Sequence, residues 1–183
     1  SGAYRAFDGE DVEALTGWHK AGGTLVALGT STSWAVRAGL AEAKTKAPRK
    51  GFPLPSTASL PYGELRDARA LQRIAGAYFQ VRLDTTHPLA AGLPEKLAVF
   101  RTHTTSLAWQ SQGQPVARYT SSPLLSGYAS KPRNYQLATG AAVLAQRING
   151  GRTVLILDDV VFRGFQRGAE RLLLNAVFFG ATY

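Results

Sequence analysis

Runs of apolar residues along the chain, separated by short polar stretches, predict a protein of mixed helices and strands. The residues from Thr24 to Leu28 form a continuous apolar run, typical of a strand that is covered on both faces. A helical pattern precedes this run, with Asp8 as its predicted N-cap and Gly22 at its end. Gly29 follows the run, and a group of hydroxyl residues then begins a second helix. The segment therefore predicts a helix, a buried strand, a tight turn and another helix.

The rest of the chain continues with predicted strands and two further helices. A short helix is predicted from Glu64 to Ala75, and an apolar stripe at helical spacing from Ala169 to Val177 predicts an amphipathic closing helix. Four prolines between 44 and 63 indicate an irregular surface excursion. The predicted later strands are Tyr78 to Leu83, Val99 to His103, Val116 to Tyr119, Leu124 to Ala129, Ala142 to Ile148 and Thr153 to Leu157.

This order of elements predicts an α/β fold with a mainly parallel sheet. The middle of the chain is richer in strands, which indicates an antiparallel extension of that sheet. A length of 183 residues suits a single domain over 1–183. The residues Ser1 to Tyr4 resemble the exit of an earlier strand, so we expect the first strand or strands to lie upstream.

Composition narrows the classes of function. The chain has no cysteine, which excludes disulfides, thiolate zinc sites and cysteine nucleophiles. The net charge is +9, and lysines and arginines cluster at 44–50 and 131–133, in predicted loops. We interpret both clusters as solvated loop charge and expect no nucleic-acid partner, because such modules interleave exposed aromatic residues with a basic stripe. No apolar run approaches the roughly 20 residues that span a bilayer, so no membrane span is expected.

Several motifs, taken in their order, resemble a known family. The strand from Gly22 to Gly29 and the helix after it are similar to the strand, elbow and helix of class I glutamine amidotransferase-like domains. Segments 84–93, 125–128 and 162–179 resemble the amidotransferase-like domain that follows the catalytic domain of some bacterial secreted zinc carboxypeptidases. The resemblance covers nearly the whole chain. It implies a flavodoxin-like three-layer α/β sandwich, a secreted or periplasmic location, and a peptidase domain upstream that holds the zinc.

The elbow after the first strand is the main candidate site. In active amidotransferases the elbow holds a cysteine nucleophile, and a histidine follows a late strand. The same pattern here places Gly29 at the nucleophile position, or Thr30 or Ser31 with a shift of one or two residues. The late strand ends in Asp158 and Asp159 and has no histidine. A hydroxyl without a base is a weak nucleophile, so we expect no catalytic residue in this chain.

The elbow and three other places supply candidate ligand-binding residues. The hydroxyls of the elbow predict either helix capping or a site for a small polar or anionic ligand. The two aspartates suit a cation or a sugar hydroxyl, or else structural pairing with Arg163 or Arg167. A histidine before Pro88 is more often a fixed loop feature than a catalytic group. The full set of candidates is Gly29, Thr30, Ser31, Thr32, Ser33, His87, Asp158, Asp159 and Arg163.

Two further expectations concern metals and aromatic residues. None of the three histidines has a carboxylate at the spacing of a His-x-x-Glu zinc pair, so no metal ligand or cofactor is expected in this chain. Trp18 and Trp34 lie in predicted helices and are expected to belong to the core.

Three functions are consistent with these patterns. The first is a non-catalytic module that supports or positions the upstream peptidase domain and binds a small ligand at the strand ends. The second is a hydrolase with a serine or threonine nucleophile within 29–33, served by His87 or His103 from a distant loop. The third is a polyanion-binding module that uses the basic loops.

Overall fold

The computed structural model describes residues 9–54, 56–109 and 113–183, in which a six-stranded sheet is packed against helices. No helix in these ranges is both long and apolar enough to cross a membrane. The strands are β1 (Thr24–Leu28), β2 (Ile74–Leu83), β3 (Lys96–Arg101), β4 (Gln114–Ala129), β5 (Ala141–Ile148) and β6 (Gly151–Ile156). The helices are α1 (Gly9–Lys20), α2 (Ser31–Arg37), α3 (Tyr62–Leu71), α4 (Lys131–Leu137) and α5 (Arg167–Phe179), with short 3-10 turns at Pro88–Ala90 and Phe162–Gly164.

The six described strands follow the order β1-β6-β5-β4-β2-β3. Only β1 and β6 pair in parallel, whereas the other four neighbouring pairs are antiparallel. The α/β class is confirmed, but the prediction of a mainly parallel sheet is wrong for the described chain. The middle segment supplies most of the strands, and its connections are short. The two residues between β5 and β6, for example, permit only an antiparallel pairing.

Helices cover both faces of the sheet, as the resemblance implied. Neighbouring residues of β6 enter different cores because side chains alternate along a strand. Ile156 belongs to the larger core with Leu172 of α5, and Leu155 belongs to a second core with Ala35 of α2. The arrangement is therefore helix, sheet and helix in three layers, with the ends of the strands open to ligands between them.

Some predicted elements differ from the observed ones. β1 and α2 are found where the sequence placed them, but the helix predicted to reach residue 75 ends at Leu71, and β2 begins at Ile74. The two strands predicted within 116–129 are one strand, β4, whose pairing with β2 contains register shifts. Helix α4 was not predicted. The proposed cap Asp8 and the proposed strand exit at 1–4 lie outside the described residues.

The two helical tryptophans lie in different surroundings. Trp34 is partly buried against the second core, as predicted. Trp18 is 48% exposed, so its assignment to the core is wrong. Its ring lies over Gly23, where an added Cβ would be 2.5 Å from a ring carbon. The missing side chain of Gly23 lets the indole cover the backbone at the surface instead of entering the core.

Candidate functional site

A pocket of about 310 Å³ opens at the edge of the sheet where β1, β3 and β6 end. Three strands separate β3 from β6 in the sheet, yet the Asp159 N–H donates to the Phe100 carbonyl at 2.9 Å. The sheet is therefore curled enough to bring the end of β3 against the end of β6. Ligands of open α/β sheets bind at such carboxyl ends. The polar residues of the pocket are Thr30, Thr102, His103, Asp158 and Asp159, and Gly29, Phe162 and three aliphatic residues complete it.

Gly29 forms the elbow after β1. Its φ of +55° lies in the left-handed region that favours glycine, and its N–H donates to the Ile156 carbonyl at 2.8 Å. A Cβ at this position would lie 3.3 Å from Asp159 Oδ1 and 3.4 Å from His103 Nε2. The position expected for a nucleophile thus faces a histidine and a carboxylate but carries no side chain.

Two of the elbow hydroxyls are used within the turn itself. Ser31 Oγ accepts the Leu28 N–H at 2.9 Å and donates to the Leu28 carbonyl at 2.6 Å. Thr32 Oγ1 is buried and donates to the Gly29 carbonyl at 2.7 Å. Thr30 is exposed and is the elbow hydroxyl that lines the pocket. Ser31 and Thr32 therefore bond within the turn without capping α2, whose N-cap Thr30 makes no side-chain cap bond and faces the site.

Asp159 links the ends of β3 and β6. Its Oδ2 accepts the Thr102 N–H at 2.8 Å and the Thr102 hydroxyl at 2.7 Å. Its Oδ1 lies 4.0 Å from His103 Nε2, and both side chains are largely shielded from solvent. The two bonds from Thr102 fix the carboxylate so that Oδ1 points towards His103 and Gly29.

Asp158 turns into the protein interior, where it forms a buried ion pair. Its Oδ1 accepts from Arg101 Nε at 2.9 Å and from the Tyr119 hydroxyl at 2.6 Å. Arg101 is fully buried and also donates to Tyr119 and to the carbonyls of Leu157 and Thr105. The two aspartates therefore take different partners, as expected for neighbours along a strand. This network fixes the wall of the pocket.

His103 is held in its neutral form. Burial lowers the pKa of the imidazole below its usual value, and the positive charge of Arg101 lowers it further. Three groups raise the pKa of His103 without reversing its net decrease: the carboxylates of Asp159 and Asp158 and the Leu157 carbonyl. Neither ring nitrogen makes a hydrogen bond of ordinary geometry to the described residues. Both nitrogens are also shielded from solvent in this structure.

An NMR titration of the His103 ring is expected to give a pKa below about 6.5 in the wild type. In Asp159→Asn the pKa falls further, because the substitution removes a negative charge that favours the protonated ring. Since the folded ring has the lower pKa, protonation favours unfolding, and this contribution to stability is present above about pH 6.5 and lost as the pH falls. Asp67→Asn, an exposed change on α3, serves as the control and leaves the His103 pKa unchanged. An unchanged or raised pKa of His103 in Asp159→Asn contradicts the described interaction between His103 and Asp159.

The structure brings only some of the sequence candidates together. Gly29, Thr30, Asp158 and Asp159 share the pocket, but His87, Arg163 and Ser33 do not line it. His87 Nδ1 accepts the N–H of Leu89 at 3.1 Å, and its ring packs against Tyr183 at 5.5 Å. The Arg163 guanidinium lies over the Phe162 ring, and within the described chain neither aspartate forms an ion pair with Arg163 or Arg167.

The sequence did not single out the residues that β3 contributes. His103 appeared only as an alternative base, and Arg101 and Thr102 were not named. A charged residue inside an apolar strand was the available signal, since a buried arginine needs an acidic partner. Within the described ranges, no group of three or more histidine or acidic residues is arranged to hold a metal ion.

No protein-family model and no curated protein matches this chain. Among solved structures, it is similar to a ThuA-like protein from Parabacteroides merdae, with 16% identity and a TM-score of 0.51 over 97% of this chain and 67% of that one. A ThuA-like protein from Bacteroides uniformis shows 12% identity and a TM-score of 0.49, over 93% of this chain and 63% of that one. The chain thus spans about two thirds of the length of these neighbours.

This likeness concerns the fold. ThuA-like proteins are members of the class I glutamine amidotransferase-like fold, which the sequence motifs also indicated. The three layers and the elbow at the end of β1 are consistent with that fold, although most strand pairs here are antiparallel.

Proposed function

We propose that this chain is a non-catalytic amidotransferase-like module whose elbow pocket binds a small polyhydroxylated ligand such as a sugar. The observation that carries the proposal is Gly29 at the nucleophile position, facing Asp159 Oδ1 and His103 Nε2. Covalent catalysis at an elbow requires a nucleophile within reach of a base. A glycine there removes the nucleophile and leaves room for a ligand group beside the two polar side chains.

The chemistry of the pocket favours hydroxyl groups on the ligand. Asp159 Oδ1 accepts no hydrogen bond from the described residues and suits a hydroxyl donor, while the exposed hydroxyl of Thr30 supplies a donor and an acceptor. Phe162 gives the pocket an aromatic side, against which the apolar face of a sugar ring packs. Two carboxylates in the same pocket disfavour an anionic ligand, because only Asp158 is neutralised by a buried arginine.

The wider setting of the module rests on the resemblance to zinc carboxypeptidases. We propose that the chain supports or positions a peptidase domain on the same polypeptide, in a secreted or periplasmic protein, and that the zinc belongs to that domain. The motifs at 84–93, 125–128 and 162–179 support this setting. A His-x-x-Glu pair and a distal histidine in the coding sequence upstream are the expected finding. An upstream region without them contradicts this part of the proposal.

One observation favours a second candidate function. Thr30 shares the pocket with His103 and Asp159, which is the combination of hydroxyl, base and orienting carboxylate that a hydrolase needs. In this structure the His103 nitrogens accept no hydrogen bond from Thr30. The non-catalytic proposal is therefore the one that the geometry supports better.

NMR spectra of the labelled protein, recorded with a panel of monosaccharides and polyols, test the sugar proposal. At least one compound is expected to shift the signals of Gly29, Thr30, Thr102 and His103. Asp159→Asn is expected to weaken that binding about tenfold or more, since it replaces a charged hydrogen bond by a neutral one. The matched control is Asp67→Asn, which changes the same residue type outside the pocket. Shifts confined to another surface, or equal affinity of Asp159→Asn and wild type, would falsify the proposal.

A further inference from the structure

A second and larger groove, of about 770 Å³, lies along α3 and the adjoining parts of β2 and β4. It shares no residue with the elbow pocket. Three arginines, Arg66, Arg69 and Arg73, line it together with two tyrosines. Tyr62 is 92% exposed and Tyr128 is 57% exposed, so both rings are available to a ligand.

The basic side chains of this groove form one row. At 100° per residue, Tyr62, Arg66 and Arg69 of α3 fall within an arc of about 60°. At 1.5 Å per residue, they span about 10 Å along the helix axis, and Arg73 follows in the link between α3 and β2. Glu64 and Asp67 of α3 fall outside this arc, and no acidic residue is among the described residues that line the groove.

The three arginines are not neutralised by neighbouring acids. No carboxylate of the described residues lies within 4.0 Å of their guanidinium groups. The small residues Ala70 and Ala75 line the groove between the longer side chains, which leaves space for a flat or extended ligand. The groove therefore combines an open cationic row with exposed aromatic rings.

The basic clusters at 44–50 and 131–133, by contrast, use several of their cations internally, and the second begins helix α4 instead of lying in the predicted loop. Lys46 Nζ donates to the Ala138 carbonyl, and Arg133 Nε donates to the Gln72 carbonyl at 2.8 Å. The Arg49 guanidinium lies over the Tyr135 ring at 5.1 Å. These contacts reduce what the two clusters offer to an anionic partner. From the sequence, only these clusters were considered for nucleic acid, and the row along α3 was not recognised.

We propose that the groove along α3 binds a short single strand of nucleic acid. The planar guanidinium groups of Arg66, Arg69 and Arg73 pair with successive phosphates, and the bases stack on Tyr62 and Tyr128. A row of three cations matches a chain of phosphates better than a single phosphate. An acidic polysaccharide has no aromatic bases to stack on the two tyrosines, so it would gain less from them than a single strand of nucleic acid. This proposal does not depend on the ligand of the elbow pocket.

Fluorescence anisotropy with a labelled 12-nucleotide oligothymidylate tests the arginine row. For the wild type, the slope of log K against log salt concentration is expected to be about −2, since each neutralised phosphate of a single strand contributes about −0.7. The double variant Arg66→Ala/Arg69→Ala raises the Kd at least tenfold and reduces the slope to about −0.7. The control Arg37→Ala/Lys50→Ala removes the same charge at two exposed positions outside the groove and leaves the Kd within twofold.

Tyr128→Ala tests base stacking separately. It lies on β4, so it remains informative if the double variant of α3 fails to fold. We expect a Kd for oligothymidylate about fivefold higher or more, and no change for an abasic 12-mer of the same backbone. If the abasic strand or heparin binds as tightly as oligothymidylate, the groove is a general anion surface and the proposal is overturned. Equal affinities of the Arg66→Ala/Arg69→Ala variant and its control overturn it as well.

Discussion

Replacement of Arg101 by leucine is expected to lower the free energy of unfolding by about 3–5 kcal/mol. Arg101 is fully buried and donates to Asp158, to Tyr119 and to two carbonyl groups. Its removal leaves the Asp158 carboxylate in the interior without an opposite charge. The apolar contacts of the new leucine do not offset the cost of keeping that charge away from water. Urea unfolding followed by circular dichroism measures the loss.

Two further variants show whether the buried charge is the cause. Arg101→Leu/Asp158→Leu removes both charges and is expected to recover a large part of the lost stability, because a buried ion pair often contributes little net stability. Arg82→Leu breaks the exposed pair with Glu95, which lies just before β3, and is expected to cost at most about 1 kcal/mol. Equal losses for Arg101→Leu and Arg82→Leu contradict the role given to the buried pair.

Gly29→Cys is expected to create the most reactive thiol that this fold can present. The wild type has no cysteine, so alkylation by iodoacetamide reports only the introduced thiol. The new Cβ would lie 3.4 Å from His103 Nε2, where a neutral imidazole accepts the thiol proton. We expect alkylation at pH 7 to be about tenfold faster than in Ala14→Cys, an exposed position on α1. The left-handed backbone costs about 1–2 kcal/mol of stability.

The second substitution His103→Ala tests the origin of this reactivity. In the Gly29→Cys background it is expected to reduce the alkylation rate to about that of Ala14→Cys or below, since the thiol loses its base. If the rate of Gly29→Cys does not exceed that of Ala14→Cys, or is independent of His103, Gly29 does not occupy the position of an elbow nucleophile.

Local signals in the sequence predicted the elements that depend on neighbouring residues. β1, its turn and α2 follow from an apolar run, a glycine and a group of hydroxyl residues, of which Ser31 and Thr32 bond within the turn and do not cap the helix. Helix α4 carried similar signals that were overlooked, because Ser130 caps it and Pro132 lies in its first turn. β4 was divided at the polar stretch before Leu124, where its pairing with β2 shifts register although the strand continues.

Only part of the candidate site could be predicted from the sequence. Gly29 and Asp159 follow neighbouring parallel strands, so the general rule for open sheets placed them at one edge. His103 and Thr102 follow β3, at the opposite end of the strand order, and reach the same edge only because the sheet curls. Curling depends on register and bulges along the antiparallel strands, which a single sequence does not display. The row on α3 was periodic in the sequence and could have been recognised there.

The central claim is that the elbow pocket contains no covalent nucleophile. The most direct measurement is the intact mass of the wild-type protein after incubation with a fluorophosphonate, a reagent that traps activated serine and threonine hydroxyls. We expect an unmodified chain, because Gly29 stands at the nucleophile position and the hydroxyls of Ser31 and Thr32 are bonded to the turn. A single adduct on Thr30, Ser31 or Ser33 that disappears in His103→Ala would contradict it and establish the hydrolase instead.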